Sequence, residues 1–219
     1  MNKNAFVYFT ATICICAGSF LDAAAENHSL STTQTHITGE LTIKGTPVKT
    51  VGQRIEVGHR APDFTALDGK FQTVGLSQFQ GRPVLISSVP SLDTPVCSLQ
   101  TQRFNEALSG LPEDVALVTI SMDLPFAQKR FCTSEKIERM HVWSDSARRE
   151  FGTRYGVLIR ERGLLARAVF VVGRDGKLVY REVVKEVSEH PDYEAALKAI
   201  RDASSDSTAV KPSKKRPHK

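Results

Sequence analysis

The stretch Val84 to Phe104, VLISSVPSLDTPVCSLQTQRF, constrains this chain more than any other. Val84, Leu85 and Ile86, followed by Ser87-Ser88-Val89, have the composition of a buried strand, and Pro90 breaks it. Thr94-Pro95 is a helix-start signal, because threonine can cap and proline fits the first helical position, where no N–H is needed. Cys97 then falls in the first turn, among N–H groups without intrahelical acceptors and at the positive end of the dipole. Such surroundings stabilise a thiolate, which is the nucleophilic form of cysteine. The ordinary alternative is a half-buried cysteine acting as a small hydrophobe. Cap, proline and strand all converge on one sulfur, which weighs against it.

The ends read differently from the middle. Met1-Asn2-Lys3-Asn4, the apolar run Ala5 to Leu21 and the small residues Ala23-Ala24-Ala25 have the order of a signal peptide, with cleavage expected after Ala25. Residues 26–36 are polar and Ser/Thr-rich and read as a flexible linker, and 37–203 as the folded domain. Residues 204–219 read as a disordered basic tail that carries much of the net charge of +5. Weak contact of that tail with an anionic envelope is one use for it; nucleic acid is not expected as a partner of an exported chain, here expected in the periplasm.

Export changes the cysteine arithmetic. Cys14 and Cys16 leave with the leader, and the mature chain keeps Cys97 and Cys132. In an oxidising compartment two cysteines most simply form one bridge. A structural staple over this spacing would contribute about 3–4 kcal/mol. Pairing alone does not separate a staple from a redox couple.

Around the central stretch, 36–51 alternates polar and apolar residues about Gly45-Thr46-Pro47 and predicts a hairpin. Leu76 to Phe79 is a short helical step. After Cys97 the pattern turns helical, with Leu99, Phe104, Ala107 and Leu108 near one face and Gly110 ending the run. Val115–Ser121 is a second buried strand, and Phe126–Cys132 makes one or two helical turns. Arg148 to Tyr155 predicts another helix, closing at Gly156. Ala166–Val172 and Leu178–Val184 are strands joined at Arg174-Asp175-Gly176. Pro191 opens a last helix with Tyr193, Leu197 and Ile200 as its apolar stripe. The first two strands need a crossover and should be parallel, the last two antiparallel. The fold class is therefore α/β, a thioredoxin-like arrangement with a central mixed sheet flanked by helices on both faces and an N-terminal β-hairpin.

Reducing a peroxide needs a thiolate aimed along the O–O axis and donors for both oxygens. Thr94 lies three residues before Cys97, so its hydroxyl can reach the sulfur or the attacked oxygen; a plain helix cap is its bland role. Pro90 can shield the nucleophile. Arg167, opening a strand, would supply a rigid, always-charged donor fork, with a surface ion pair as the equal alternative.

These residues carry a resemblance. Pro90-Ser-Leu-Asp-Thr94-Pro-Val-Cys97 fits the P-x-x-x-T-x-x-C motif of peroxiredoxins. DLPFAQKRFC ending at Cys132, LLARAVFVV around Arg167, and HPDYEAALKAI look like the bacterial thiol peroxidase branch, an atypical two-cysteine type. The resemblance implies Cys97 as peroxidatic, Cys132 as resolving in the same subunit, Thr94 and Arg167 as activating, and Pro90 as shielding. It also implies hydroperoxide substrates, a homodimer and recycling by a thioredoxin-like dithiol protein, with no cofactor. Two other classes compete. A disulfide carrier would normally keep both thiols in a C-x-x-C pair, which is absent. A disulfide-stapled envelope-binding module would depend on the basic tail. The six histidines match no zinc spacing, and no recognisable motif places a protease base near Cys97.

Overall fold

The computed structural model describes residues 36–206; the expected leader, most of the linker and the tail from residue 207 lie outside the described residues. The chain opens with an antiparallel hairpin, β1 (His36–Ile43) and β2 (Thr46–Gly52). Its turn is Lys44-Gly45, both at positive φ (50° and 76°), which is the mirror-image turn that matches strand twist. Pro47, expected in the turn, lies in β2 opposite Thr42. A second, unexpected hairpin follows, β3 (Thr65–Leu67) and β4 (Thr73–Gly75), and then the 3-10 step Leu76–Phe79 where it was expected.

The central stretch folds as β5 (Val84–Ser88) followed by α1 (Pro95–Ala107), with Thr94 at the N-cap and Pro95 as the first helical residue. Next come β6 (Ala116–Ser121) and α2 (Pro125–Ser134), the latter a turn longer than predicted at its end and start together, so Cys132 sits inside its last turn. β7 (His141–Ser144), α3 (Glu150–Arg154), β8 (Leu158–Ile159) and β9 (Leu164–Leu165) lead to β10 (Ala168–Val172), β11 (Leu178–Val183) and α4 (Tyr193–Ser205). Asp192, not Pro191, begins the last helix: its side chain accepts from Ala195 N at 2.9 Å. The first strand starts at His36 and the last helix ends at Ser205, one and two residues beyond the expected domain limits.

Seven strands form the main sheet in the order β11-β10-β5-β6-β7-β3-β4. β5, β6 and β7 are parallel neighbours, while β10 runs antiparallel to both β5 and β11. Because β5 is covered on both sides, all five of its residues are buried, Val84, Leu85 and Ile86 without alternation and then Ser87 and Ser88. Leu85 packs with Phe104, Phe131 and Ile200 from α1, α2 and α4. Val84 and Ile86 point the other way, into a cluster with Phe151 of α3, Tyr155 just after it, and Leu41 and Val48 of the hairpin. Helices lie on both faces, as expected: one face carries α1, α2 and α4, and the other carries short α3, which shares that face with a four-stranded sheet, β1-β2-β8-β9.

One carboxylate ties the hairpin tip to the connection before α4. Glu186 accepts from Thr42 Oγ1 (2.7 Å), Lys44 N (3.0 Å), Gly45 N (3.0 Å) and both donors of Ser188. Those bonds, that of the Ser188 hydroxyl foremost, hold its carboxyl well below the usual carboxylate range. Backbone bonds Thr42 N to Lys185 O and Val187 N to Thr42 O, both 2.8 Å, complete the tie.

Candidate active site

Strand β5 ends where α1 begins to rise, and Cys97 is the third residue of that helix. Its side chain is wholly buried among Val89, Leu92, Phe104 and Val169. Into this apolar surround comes one cation. Arg167, directly before β10 and only 2% exposed, places Nη2 3.3 Å from Cys97 Sγ. The guanidinium is fixed at two further points: Nη1 donates to Gln100 Oε1 at 2.6 Å, and Nε donates to Val187 O at 2.8 Å. Gln100 is in turn pinned by its own Nε2, which donates to Ser87 Oγ at 2.7 Å. Arg167 is therefore not a surface ion pair. Its fork spans three acceptors at once, which a lysine ammonium could not do in one plane.

Gln100 was not legible as a site residue. Expected helix geometry put Leu99 inside, yet Leu99 is 39% exposed, while Gln100 and Thr101 are fully buried with Cys97 and Phe104. The helix is rotated so that its polar residues at i+3 and i+4 from Cys97 share the sulfur's face. Gln100 and Thr101, three and four residues after Cys97, were the available signal; ranking by hydrophobicity hides it. Thr101 Oγ1 back-bonds to Cys97 O at 2.9 Å.

Thr94 departs from expectation in its side chain. It caps α1 through its carbonyl, which accepts from Ser98 N at 2.9 Å, and not through its hydroxyl. Thr94 Oγ1 donates to Ser91 O at 3.0 Å, and the residue is exposed. The hydroxyl keeps its lone pairs for a substrate donor and can turn toward one. Pro90 is buried at the end of β5, ahead of the loop that leads to Thr94.

Cys132 lies in the last turn of α2, half-buried against the same cluster that holds Cys97. Both thiols are free in this structure. Burial pushes the Cys132 thiol up, and among the described residues no cation offsets it. Between the start of α1 and α2 runs a cleft of about 430 Å³, lined by Leu92, Thr94, Pro95 and Ser98 on one side and Arg130 and Phe131 on the other. Across its end Gln102 Nε2 donates to Glu135 Oε2 at 2.7 Å, joining the two cysteine-bearing helices. On the far side of Arg167, Tyr193 packs on Phe104 and lies under the Arg103 guanidinium, 4.9 Å from the ring centre. Burial raises its phenol, which shares a 2.7 Å hydrogen bond with His190 Nδ1.

The arrangement can do one thing well. A fixed guanidinium and a helix N-terminus beside a buried sulfur are set to stabilise negative charge developing on a neighbouring oxygen. Comparison with known proteins agrees. Residues 56–197 match the Redoxin family model. A thiol peroxidase of Oceanobacillus iheyensis is 50% identical over 157 residues, covering 72% of this chain and 95% of that protein. One of Bacillus subtilis is 46% identical over 162 residues, covering 74% and 96%. The crystal structure of a peroxiredoxin-like protein from Aquifex aeolicus superposes with a TM-score of 0.71 at 40% identity, covering 77% of this chain and 99% of that one. With the fold, the buried Cys97–Arg167 pair and these relatives in agreement, the chain belongs to the redoxin family and, within the peroxiredoxin superfamily, to the bacterial thiol peroxidases.

Proposed function

We propose that Cys97 is the peroxidatic cysteine of a thiol peroxidase acting on hydrogen peroxide and alkyl hydroperoxides, and that Cys132 resolves it within the same subunit. The observation that carries this reading is the 3.3 Å approach of Arg167 Nη2 to Cys97 Sγ, with no other charged group hydrogen-bonded to the sulfur among the described residues. The Cys97 thiolate attacks the terminal peroxide oxygen, and the O–O bond breaks. Sulfur is oxidised to the sulfenic acid, and the departing oxygen takes a proton to leave as water or alcohol. Arg167, bonded to the sulfur in the resting state, faces the oxygens as their charge develops. Thr94 supplies a hydroxyl on the approach side, and Pro90 helps keep bulk water out.

The Cys132 thiol then attacks the sulfenic sulfur, a Cys97–Cys132 disulfide forms and water departs. An external thioredoxin-like dithiol reduces the bridge. The homodimer belongs to the same proposal through the family resemblance. Export to the periplasm belongs to it through the apolar run Ala5 to Leu21 and the alanines that follow.

The test is single-turnover peroxide consumption by reduced protein. Wild type is expected to consume about one equivalent and lose two thiols, by the stoichiometry of sulfenate formation and condensation. Cys97→Ser is expected to be inert, and Cys132→Ser to react once and stop at the sulfenic acid. Equal, slow reaction in all three would sink the assignment.

A further inference from the structure

Two segments must cooperate in that cycle: the loop Pro90–Thr94, which sets the start of α1, and the turn into α2, which carries Cys132. One carboxylate joins them. Asp123 lies in the turn between β6 and α2, two residues after Ser121 and two before Pro125, the first residue of α2. Its Oδ1 accepts from Ser91 Oγ at 2.7 Å, and its Oδ2 accepts from Leu92 N at 2.7 Å and Ser121 Oγ at 2.8 Å. Its own carbonyl accepts from Ser144 Oγ at 2.6 Å, which fastens the turn to β7. On the loop side the chain of bonds continues. Ser91 O accepts from both the N–H (3.2 Å) and the hydroxyl (3.0 Å) of Thr94, and Thr94 O accepts from Ser98 N. Ser91 Oγ also accepts from Asp93 N at 3.3 Å.

We propose that Asp123 is a positioning residue for the peroxide reaction: by holding Ser91 and Leu92 it fixes the loop that presents Thr94 and the first turn of α1, and it does so from the fixed end of α2. Asp123 touches neither sulfur. It acts through Ser91 on Thr94, and the turn it anchors lies at the opposite end of α2 from Cys132. Its carboxylate takes two donors of the loop and one of β6. A loop held by two short bonds to a carboxylate is more sharply located than one held by packing alone, since Leu92 is the one buried apolar side chain between Pro90 and Thr94.

The inference rests on the peroxidase reading, and the two can fail separately. Single-turnover kinetics would be followed with hydrogen peroxide, using thiol loss and the fluorescence of Trp143, the chain's single tryptophan, which is buried in β7 and whose carbonyl accepts from Gln128 Nε2 of α2. If wild type shows no peroxide-dependent thiol loss, the functional reading has failed before Asp123 is tested. With wild type active, Asp123→Ala is expected to slow sulfenate formation by about 10- to 100-fold, the scale of loss from misplacing a reacting geometry by an ångström. The later disulfide step, measured from the sulfenate, is expected to be unchanged or faster. Asp123→Asn keeps an acceptor of the same shape and is expected to restore the first step to within about threefold of wild type. Ser91→Ala removes one bond of the set and serves if Asp123→Ala does not fold; it is expected to slow the first step alone, by less. Sulfenate formation within twofold of wild type in a folded Asp123→Ala, or equal slowing of both steps, would overturn the proposal, because a merely loosened fold gives the second pattern.

Discussion

Cys97 and Cys132 border the same apolar cluster, and yet the protein treats them in opposite ways. The first is wholly buried near the start of a thirteen-residue helix, with a guanidinium on its sulfur. The second is half-buried in the last turn of a ten-residue helix, where burial pushes its thiol up and, among the described residues, no cation offsets the cost. Burial alone penalises a thiolate, so apolar surroundings make a nucleophile only when a charge is built into them. The difference lies in Arg167, and behind it in Gln100, which aims the fork.

The comparison breaks most easily at Arg167. Arg167→Lys keeps a charge but not three coplanar bonds, and is expected to slow peroxide reaction by about 10²- to 10³-fold, as loss of a preorganised charge donor does. A loss below tenfold in stopped-flow measurements would mean that the two cysteines differ by something other than the guanidinium. Gln100→Leu is expected to cost about tenfold in the same rate, through a less well-aimed Arg167. It also leaves a buried guanidinium N–H and the Ser87 hydroxyl without a partner, so denaturant unfolding should show a loss of about 1–3 kcal/mol.

Changes near Cys132 should be smaller. Glu135→Ala cuts the exposed tie to Gln102 and is expected to speed disulfide formation by about two- to threefold, in keeping with what exposed polar pairs contribute. The smallest effect is a shift. In Cys97→Ser, alkylation of Cys132 in the native protein should reach half its maximal rate at a higher pH than in denaturant, where an ordinary thiol near about 8.5 is expected. The sign follows from burial. A thiol whose pKa is raised in the fold contributes stability below the unfolded value and loses it as pH rises through the folded one. Coincident midpoints would erase that part of the contrast.

Much of this was legible in the residues. A strand, a proline break and a Thr-Pro start place Cys97 near a helix N-terminus on local rules alone, and the structure follows them closely. Asp175-Gly176 likewise makes its turn, with Gly176 at a φ of 78°. What escaped were the strands of two to four residues: Thr65–Leu67, Thr73–Gly75, His141–Ser144, Leu158–Ile159 and Leu164–Leu165. So short a strand shows no period, and neighbouring strands decide its state. The orientation of α1 escaped for a related reason. Periodicity assumes that the inward face is apolar, whereas Gln100 and Thr101 are inward because a buried arginine and a helix carbonyl take up their polar atoms. The hydroxyl of Thr94 does not cap the helix because it donates to the carbonyl of Ser91 instead of accepting from the first-turn N–H groups. Side-chain direction at a functional loop depends on partners far away in the chain.

The Glu186 tie gives the hairpin a second meaning. The carbonyl that holds Arg167 Nε belongs to Val187, and Val187 N is bonded to Thr42 of β1. The start of the folded chain and the guanidinium are thus fastened to one short piece of backbone. For anyone building with this protein, the hairpin is not spare chain to be trimmed or replaced by a tag. A graft joined upstream of His36 leaves that fastening whole, whereas a cut reaching Thr42 removes the strap and slackens the arginine some 125 residues further along the sequence, a distance set by 167 − 42.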